Sequence, residues 1–300
     1  MTRGSNPRVV VAYRPTDWDQ LLERHATAGQ ARFFLESRDR DVEEVIERHQ
    51  RQLRALARAE QSIPTEWRRV RIGRADFPGF LFEPDDIVVP VGQDGLVPNL
   101  AKYLTGQTVI GVNPDPERYE GTLVRFPVEA VSDLIADLRS GRSKTESRTM
   151  VEARLDDGQR LIALNEIYIG HQTHQSSRYL LRRDDESERQ SSSGVIIATG
   201  TGATGWARSI STERQSNLPL PHPGDRRLVF FVREAWPSVN TGATLTEGTI
   251  GDPSRLTLIS EMEEGGIAFG DGIETDYLRI GWGQEISVGL APELLMLVKT

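Results

Sequence analysis

Residues 87–95 read IVVPVGQDG, a short apolar run followed by a Gly-x-Asp-Gly turn. The apolar run predicts a strand, although Pro90 argues against a central place in a sheet. A turn of this kind at the end of a strand in an α/β sheet puts the carboxylate of Asp94 at the rim where such sheets bind ligands. Backbone amides beside it can hold a phosphate, and the carboxylate can take a proton from a hydroxyl group or reach a metal ion. Because Asp-Gly is also common in turns that bind nothing, a purely structural turn remains an alternative.

The sequence on both sides of this stretch alternates strand and helix patterns. Two strands and three helices are predicted, at residues 9–13, 108–112, 41–61, 95–104 and 128–138. Asp41 is a plausible N-cap for the long amphipathic helix that follows it. Strands that alternate with helices indicate a parallel, layered α/β domain, which we place at residues 1–126.

After about residue 145 the pattern changes to strand-like stretches with few helices between them. A hairpin is predicted from residues 149–155 and 161–169, around the turn Asp156-Asp157-Gly158. Further strands are predicted at residues 178–183, 194–199, 227–233, 256–260 and 277–280. We therefore expect a β-rich second domain at residues 127–280, a sandwich or a distorted barrel. The predicted fold class is α/β plus all-β.

The composition is that of a globular protein without a membrane span. The 300 residues are 37% hydrophobic and 27% charged, which is too apolar for a disordered chain. No stretch approaches the ~18 consecutive apolar residues that a membrane span needs. A net charge of −8 and a pI near 5.3 argue against nonspecific nucleic-acid binding. Since the chain has no cysteine, no disulfide framework is possible, and we predict a cytoplasmic protein.

Residues 200–205, GTGATG, match the G-x-G-x-x-G pattern of dinucleotide-binding folds and follow an apolar run. That fold needs an acidic residue at the end of the next strand, but Asp225 lies before the next strand, in a proline-rich loop. The segment also lies in β-rich rather than βαβ sequence. These features favour a nucleotide-contacting loop of another kind over a Rossmann dehydrogenase. A tight turn without a ligand remains a further alternative.

Asn165 and Glu166 stand within the predicted strand at residues 161–169. Adjacent strand residues point to opposite faces, so at least one of the two must face inward or meet a partner, unless they are an ordinary polar pair on an edge strand. His171 and His174 lie in a predicted surface loop with no third ligand nearby in sequence, so no metal-binding residue is predicted. No Walker A sequence is present, which argues against a P-loop kinase.

Taken in order, these segments resemble the NAD kinase family. Residues 92–95 resemble its Gly-Gly-Asp-Gly motif, residues 163–167 its Asn-Glu motif, and residues 194–206 the segment that ends in Thr-Pro-Thr-Gly-Ser-Thr-Ala-Tyr. Residues 109–118 and 176–178 look most like the branch that contains the mitochondrial-type NAD kinases. The resemblance covers roughly residues 85 to 280, and the order and spacing of the motifs make the combination specific.

The resemblance implies an α/β domain, a β-rich domain and a site in the cleft between them, with residues 281–300 packing back on the first domain. It also implies a homodimer or a higher homo-oligomer. The implied reaction transfers a phosphoryl group from ATP, with Mg²⁺, to the 2′-hydroxyl of the adenosine ribose of NAD, giving NADP. Small-molecule substrates are expected as the other partners.

Carried over by position, the resemblance makes Asp94 the general base that accepts the proton of the 2′-hydroxyl. The phosphates of the donor are expected at Gly92, Gly95, Asn113 and Arg118. The acceptor is expected at Asn165, Glu166, Arg178, Thr201, Gly202, Thr204, Gly205, Trp206 and Asp271. Within that set, the resemblance implies that residues 204–206 line the adenine pocket.

Three departures from the family pattern leave the acceptor open. Gln93 replaces the second glycine of the motif, Leu96 replaces the threonine that closes it, and Gly205-Trp206 replaces Ala-Tyr. Gln93 adds a side chain where a close approach of the backbone to phosphate is expected. The alternatives are a kinase of the same fold for a nucleoside, sugar or polyol, and a non-catalytic nucleotide-binding relative.

Overall fold

The computed structural model describes residues 6–299, which form two compact units. The first unit comprises residues 6–146 and 296–299, and the second comprises residues 147–295. The predicted fold class is confirmed, since an α/β unit is followed by a β-rich unit with antiparallel sheets. Residues 1–5 and 300, at the ends of the predicted domains, lie outside the described residues. No helix within residues 6–299 is long and apolar enough to cross a membrane.

The first unit is built on a parallel sheet. Its elements are β1 (Arg8–Tyr13), α1 (Asp17–His25), α2 (Ala28–Glu36), α3 (Val42–Gln61), β2 (Arg68–Gly73), β3 (Ile87–Pro90), α4 (Leu96–Ala101), β4 (Thr108–Val109), β5 (Val112–Asn113), β6 (Phe126–Pro127) and α5 (Val131–Arg139). The strands lie in the order β4-β3-β1-β2, and Met296 and Leu297 pair with the free side of β4. The Asp41 side chain caps α3 by accepting a hydrogen bond from Glu44 N–H at 3.1 Å, as predicted.

The division between the units falls between Glu146 and Ser147, whereas the predicted boundary follows residue 126. Helix α5 explains the difference. Its apolar face, with Val131 and Ile135, packs in the same buried core as Val9 of β1. Residues beyond 126 therefore complete the hydrophobic core of the first unit.

Strand β3 lies inside the parallel sheet, so the expectation that Pro90 keeps it from a central place is wrong. The strand pairs with β1 on one side and with β4 on the other. Pairing with β4 involves only Ile87 and Val88, and Pro90 is the last residue of the strand. Pro90 therefore lies beyond the hydrogen-bonded pairing of β3 with β4, where its lack of an N–H group removes no hydrogen bond between these strands.

The second unit is a sandwich of two sheets. Its elements are β7 (Lys144–Leu155), β8 (Arg160–Ala163), β9 (Glu166–His171), β10 (Ser177–Arg183), β11 (Glu186–Ser192), β12 (Val195–Ala198), α6 (Trp206–Glu213), β13 (Arg227–Val232), β14 (Glu247–Gly251), β15 (Leu256–Ser260), β16 (Gly266–Gly270), β17 (Tyr277–Ile280) and β18 (Glu285–Lys299). One sheet has the order β14-β13-β12-β9-β16-β17, and the other contains β11-β10-β15-β18 with β7 and β8.

Alternation along β9 separates the two faces of the six-stranded sheet. Ile167 and Ile169 point into the core that the two sheets share. Tyr168 points to the other face, where it packs with Ala207 and Ile210 of α6. Glu166 lies two residues before Tyr168 and shares its face, so α6 and Glu166 lie on the same side of the sheet.

Candidate active site

Asp94 follows β3 at the rim of the parallel sheet, and three backbone amides anchor its carboxylate. The oxygens accept hydrogen bonds from Thr122 N–H at 2.9 Å, Leu123 N–H at 2.8 Å and Val124 N–H at 3.0 Å. Oδ1 accepts two of these bonds and Oδ2 accepts one. Because a carboxylate offers about four lone-pair positions, Asp94 can still accept a proton or a hydrogen bond from a hydroxyl group.

The turn that carries Asp94 presents a run of backbone amides. The N–H groups of Gln93, Asp94 and Gly95, here termed the amide cradle, donate no hydrogen bond to any other residue within residues 6–299. Successive N–H groups in a turn form concave sites that bind anions. Gly92 differs, because its N–H donates to Val112 O at 3.0 Å. Of the two glycines predicted to leave amides free, Gly95 does so and Gly92 does not.

A cavity of about 150 Å³, here termed the rim cavity, lies beside the amide cradle. From the turn it is lined by residues 91–93, 95 and 96, and not by Asp94, whose carboxylate is bound by the amides of residues 122–124. The rest of the lining comes from α3 and from the segments that follow β1 and β5. Four basic side chains line it: Arg14, Arg48, His49 and Arg51. Sequence reasoning did not identify these residues, although Arg14 directly follows the predicted strand at residues 9–13, where ligand-binding residues of α/β sheets are found.

Protein partners neutralise this basic charge only in part. Arg48 pairs with Asp17 at 3.4 Å, and its Nε is buried without a partner among the described residues. Arg51 pairs with Asp115 at 2.5 Å and with Glu47 at 2.8 Å, and His49 Nδ1 lies 3.6 Å from the Asp19 carboxylate. Arg14 forms no ion pair or hydrogen bond with the described residues and is exposed. The rim cavity can therefore accept the charge of a phosphate group.

The other two residues predicted to bind the donor do not line the rim cavity. Asn113 is buried, donates to Tyr119 O at 2.7 Å and accepts from Asp115 N–H at 2.9 Å. Its amide group therefore holds the loop at residues 114–119 in place. Arg118 donates to Glu44 at 2.9 Å.

In the second unit, Asp271 organises the segment at Asn165 and Glu166. Its carboxylate accepts hydrogen bonds from Leu164 N–H at 3.0 Å and Asn165 N–H at 2.6 Å, and its own N–H donates to Glu166 O at 3.0 Å. These two amides donate to Asp271 and not to a neighbouring strand. The prediction of one continuous strand at residues 161–169 is therefore wrong, because the segment is divided into β8 and β9. Asn165 lies in the break and not within a strand.

The glycine-rich loop joins this group through Thr199. Thr199 Oγ1 donates to Leu164 O at 2.6 Å and accepts from Thr201 N–H at 3.1 Å and Gly202 N–H at 3.3 Å. Thr199 N–H donates to Asn165 O at 2.9 Å. Asp271, residues 164–166 and residues 199–202, here termed the Asp271 cluster, are thus one hydrogen-bonded group. The sequence assigned most of these residues to one site but did not identify Thr199.

Crowding by neighbouring backbone explains two glycines of the loop. A Cβ at Gly200 would lie 1.9 Å from His222 O, and one at Gly202 would lie 2.2 Å from Asn165 O. β12, which leads into the loop, pairs antiparallel with β9 and β13. The Rossmann alternative needs a parallel βαβ unit, so this fold excludes it.

Glu166 has an unusual protonation equilibrium. Burial, and secondly the negative charge of Asp271, raise the pKa of its carboxyl group to about 7. At neutral pH the group therefore exists in both the acid and the anionic form. In either form it can hydrogen-bond to a hydroxyl group of a ligand.

Trp206 begins α6 and keeps 36% of its surface exposed. Its ring is stacked with Tyr168, with centroids 6.0 Å apart and an angle of 11° between the planes. The guanidinium group of Arg233 lies over the Trp206 ring, 5.0 Å from its centroid. Thr204 Oγ1 donates to Thr201 O at 3.2 Å, and Gly205 separates it from Trp206. Residues 204–206 therefore adjoin the Asp271 cluster, and Arg233 is a further neighbour that sequence reasoning missed.

Arg178 is not brought to the Asp271 cluster. It follows Ser177, whose hydroxyl accepts from His171 N–H at 2.8 Å, at the far end of β9 from Glu166. At about 3.3 Å per residue, that strand separates the two ends by about 17 Å. His171 itself is buried, and its Nδ1 accepts from Thr173 N–H at 3.1 Å, so its description as a surface loop residue is wrong. Within residues 6–299, no group of three or more His, Cys, Asp or Glu residues is placed to hold a metal ion.

Curated proteins similar in sequence are named NAD kinases. The chain is 26% identical to human mitochondrial NAD kinase 2 over 278 residues, covering 71% of this chain and 63% of that protein. It is 30% identical to the NAD kinase of Cupriavidus pinatubonensis over 146 residues, covering 46% and 45%. The chain is 28% identical to the NAD kinase of Bordetella avium over 225 residues, covering 72% of this chain and 71% of that protein. The chain thus spans less than two thirds of the length of the first two relatives. No protein-family model matches the chain.

Solved structures support the fold. An NAD kinase from Archaeoglobus fulgidus in complex with ATP superposes with a TM-score of 0.59 at 19% identity, covering 97% of this chain and 93% of that one. Yeast NADH kinase complexed with NADH gives a TM-score of 0.60 at 15% identity, covering 99% and 84%. At these identities the likeness establishes the architecture alone.

Proposed function

We propose that this chain, which belongs to the NAD kinase family, transfers a phosphoryl group from ATP to the 2′-hydroxyl of the adenosine ribose of NAD, giving NADP. One structural observation carries the proposal. A carboxylate, Asp94, stands in the same turn as three free backbone amides, and its neighbours Gln93 and Gly95 line a cavity that arginine residues also line. Phosphoryl transfer needs this combination, because it depends on positioning a hydroxyl group and neutralising phosphate charge.

We assign the phosphates of ATP to the amide cradle and the rim cavity. The N–H groups of Gln93, Asp94 and Gly95 can each donate to a phosphate oxygen. Arg14 supplies a positive charge that no described residue pairs with, and Arg48, which is paired with Asp17, has an Nε donor without a partner among the described residues. Guanidinium groups pair well with phosphate because their donors are arranged as a rigid fork.

We assign the acceptor to the Asp271 cluster, where Asn165 and Glu166 hold the adenosine and Trp206 borders the adenine. In the reaction, Asp94 takes the proton of the 2′-hydroxyl group, and the 2′-oxygen of the ribose forms a bond to the γ-phosphorus of ATP. The bond between the γ-phosphorus and the bridging oxygen breaks, and ADP leaves with the electron pair. The products are NADP, ADP and a proton that Asp94 releases to solvent.

Mg²⁺ is expected to arrive with ATP. In kinases this ion is bound mainly by substrate phosphates, with one or two carboxylates and water, rather than by an all-protein cage. Asp94 in the turn and Asp115 in the lining of the rim cavity are carboxylates that fit such an ion. When bound, such an ion would neutralise charge on the phosphates of ATP.

Two of the departures from the family pattern bear on the donor. Gln93 and Leu96 both line the rim cavity, and Leu96 is buried. Gln93 still contributes a free N–H to the amide cradle. We therefore propose that these residues alter how ATP is held, and we retain NAD as the acceptor.

The test is to incubate the purified chain with ATP, Mg²⁺ and NAD and to identify NADP by mass spectrometry. NADP is expected only when ATP is present, and Asp94→Ala is expected to form it far more slowly than the wild type. Asp85→Asn removes an exposed carboxylate that forms no hydrogen bond with the described residues, and it should leave the rate unchanged. Failure to form NADP, with turnover of a nucleoside, sugar or polyol in its place, would reassign the acceptor. Tight binding of NAD without any transfer would indicate a non-catalytic relative.

We further propose a cytoplasmic homo-oligomer. The proposal of a cytoplasmic enzyme rests on the absence of cysteine from the sequence. That of an oligomer rests on the family resemblance, and light scattering of the purified chain measures it. A mass equal to one 33.5 kDa chain would contradict it.

A further inference from the structure

Arg233 lies at the edge of the proposed acceptor site, with its guanidinium group over the Trp206 ring, 5.0 Å from the centroid. Its guanidinium group donates no hydrogen bond to any residue within residues 6–299. Its ion pair is with Glu234, at 3.7 Å, and the Glu234 side chain is 66% exposed. An exposed pair at this distance contributes little, so the donors of Arg233 remain available to a ligand.

The backbone beneath this side chain is fixed. Arg233 N–H donates to Gly194 O at 2.8 Å, and Arg233 O accepts from Ser193 N–H at 2.9 Å. Glu234, the next residue, has a φ of 41°, a left-handed conformation that non-glycine residues rarely adopt. Strain of this kind persists only where the surrounding structure imposes it, and it is concentrated at functional sites.

The sheet register places Arg233 along the same face as Glu166. Ala198 pairs with Glu166, and Ile196 pairs with Tyr168. Arg233 bonds to Gly194, which directly precedes β12, two residues before Ile196. At about 3.3 Å per residue, Arg233 is about 13 Å along the strands from Glu166, with Tyr168 between them. An elongated ligand that binds at Glu166 and passes Trp206 would therefore reach the guanidinium group.

We propose that Arg233 binds a phosphate group of the acceptor beside the Trp206 ring, and so selects phosphate-bearing acceptors over free nucleosides and sugars. The inference rests on the proposed function, because it takes the Asp271 cluster and Trp206 as the acceptor site. What it adds is the residue that would recognise the phosphates by which NAD differs from a nucleoside or a sugar. An anion there completes the hydrogen bonds of a guanidinium group that the protein leaves largely unpaired.

Calorimetry with ADP-ribose and adenosine as probes tests the inference. Arg233→Gln is expected to bind ADP-ribose roughly 10- to 100-fold more weakly than the wild type, since hydrogen bonds to a charged group are lost. Binding of adenosine is expected to change by less than about twofold. Arg233→Lys keeps the charge and should retain most of the preference for ADP-ribose, with some loss because lysine lacks the planar fork.

Arg208→Gln is the matched control, because it also removes one positive charge from α6 and its surroundings. Arg208 lies two residues after Trp206 on the helix, a spacing at which side chains do not face each other. This variant should bind both probes as the wild type does. Kinetics add a second readout: Arg233→Gln should raise KM for NAD and leave kcat unchanged, because the phosphate lies away from the reacting hydroxyl.

The outcomes separate this inference from the proposed function. Equal weakening of both probes in Arg233→Gln, or no weakening of either, would overturn the role of Arg233 even if the chain makes NADP. Selective weakening of ADP-ribose in a chain that makes no NADP would support Arg233 and overturn the kinase. A lysine variant that behaves like the glutamine variant would contradict recognition by charge.

Discussion

Asp94→Ala removes one acceptor from three backbone amides at once. The bond from Thr122 is exposed to solvent, and those from Leu123 and Val124 are part-buried. Bonds to a charged acceptor are worth about 1.5–3 kcal/mol each, and less where water can replace the acceptor. Taking about 1 kcal/mol for each bond, we expect the turn at residues 122–124 to be destabilised by about 3 kcal/mol.

Amide hydrogen exchange of the segment at residues 119–127 measures this effect. About 3 kcal/mol corresponds to local opening on the order of 100-fold more frequent, and exchange should accelerate by that factor. Asp94→Asn keeps the oxygen that accepts from Leu123 and Val124 but directs its NH₂ group toward the Thr122 amide, which then has no acceptor. Hydrogen exchange of the segment should therefore accelerate by about tenfold. Asp85→Asn should exchange like the wild type. Unchanged exchange in Asp94→Ala would refute the anchoring of this turn by the carboxylate.

The same carboxylate is the proposed general base, and kinetics distinguish its two roles. Loss of the base alone lowers kcat and leaves KM for ATP unchanged. Loss of the turn also disturbs the segment beside the amide cradle and should raise KM for ATP. We expect both effects in Asp94→Ala, and mainly a lower kcat in Asp94→Asn. A kcat equal to that of the wild type in both variants would exclude Asp94 as the base.

Two further predictions concern the Asp271 cluster and the glycine residues. Because the folded chain raises the pKa of Glu166 from 4.5 to about 7, it disfavours the anion. The wild type should therefore lose up to about 3 kcal/mol of unfolding free energy as pH rises from about 5 to about 8, and urea unfolding of Glu166→Gln should lack that part of the loss. An equal loss in both proteins would contradict the shift. Gly202→Ala places a Cβ 2.2 Å from Asn165 O and should lower stability by about 1–3 kcal/mol in thermal unfolding. Gly95→Ala meets nothing within 4 Å and should keep its Tm but raise KM for ATP; an unchanged KM would argue against phosphate at the amide cradle.

The fold follows from sequence where local signals and tertiary packing agree. Helix α3 has regular apolar spacing and the Asp41 cap, and both are present in the structure. Helix α1 was missed although Thr16 and Asp19 form a capping box and Trp18, Leu21 and Leu22 have helical spacing, so its local signal was present in the sequence. The break between β8 and β9 has no local signal. It depends on Asp271, which is more than a hundred residues away in the chain.

Candidate site residues could be predicted where they belong to a recognisable sequence motif. They could not be predicted where only tertiary packing brings them to the site. Asp94 follows β3 at the rim of the parallel sheet, as its motif predicts, whereas Asn165 lies in a break between strands and not within one. The binding and catalytic roles of these residues stay predictions. Arg48 belongs to a helix that reads as an ordinary charged surface, and only the packing of α3 places it in the rim cavity. Arg118 lies in a segment similar to the family, but the structure pairs it with Glu44. Sequence alone does not distinguish a surface arginine that pairs with a carboxylate from one that lines a cavity, because the difference lies in the tertiary contacts of the side chain.

Asp94 is proposed to activate the 2′-hydroxyl of NAD for attack on the γ-phosphorus of ATP. Phosphorus-31 NMR of the product formed by the purified chain from ATP, Mg²⁺ and NAD tests it most directly, with Asp94→Asn measured in parallel. We predict one new phosphate, on the 2′-oxygen of the adenosine ribose, and a rate in the variant that is lower by orders of magnitude. A phosphate at another position, or a variant as fast as the wild type, would contradict the claim.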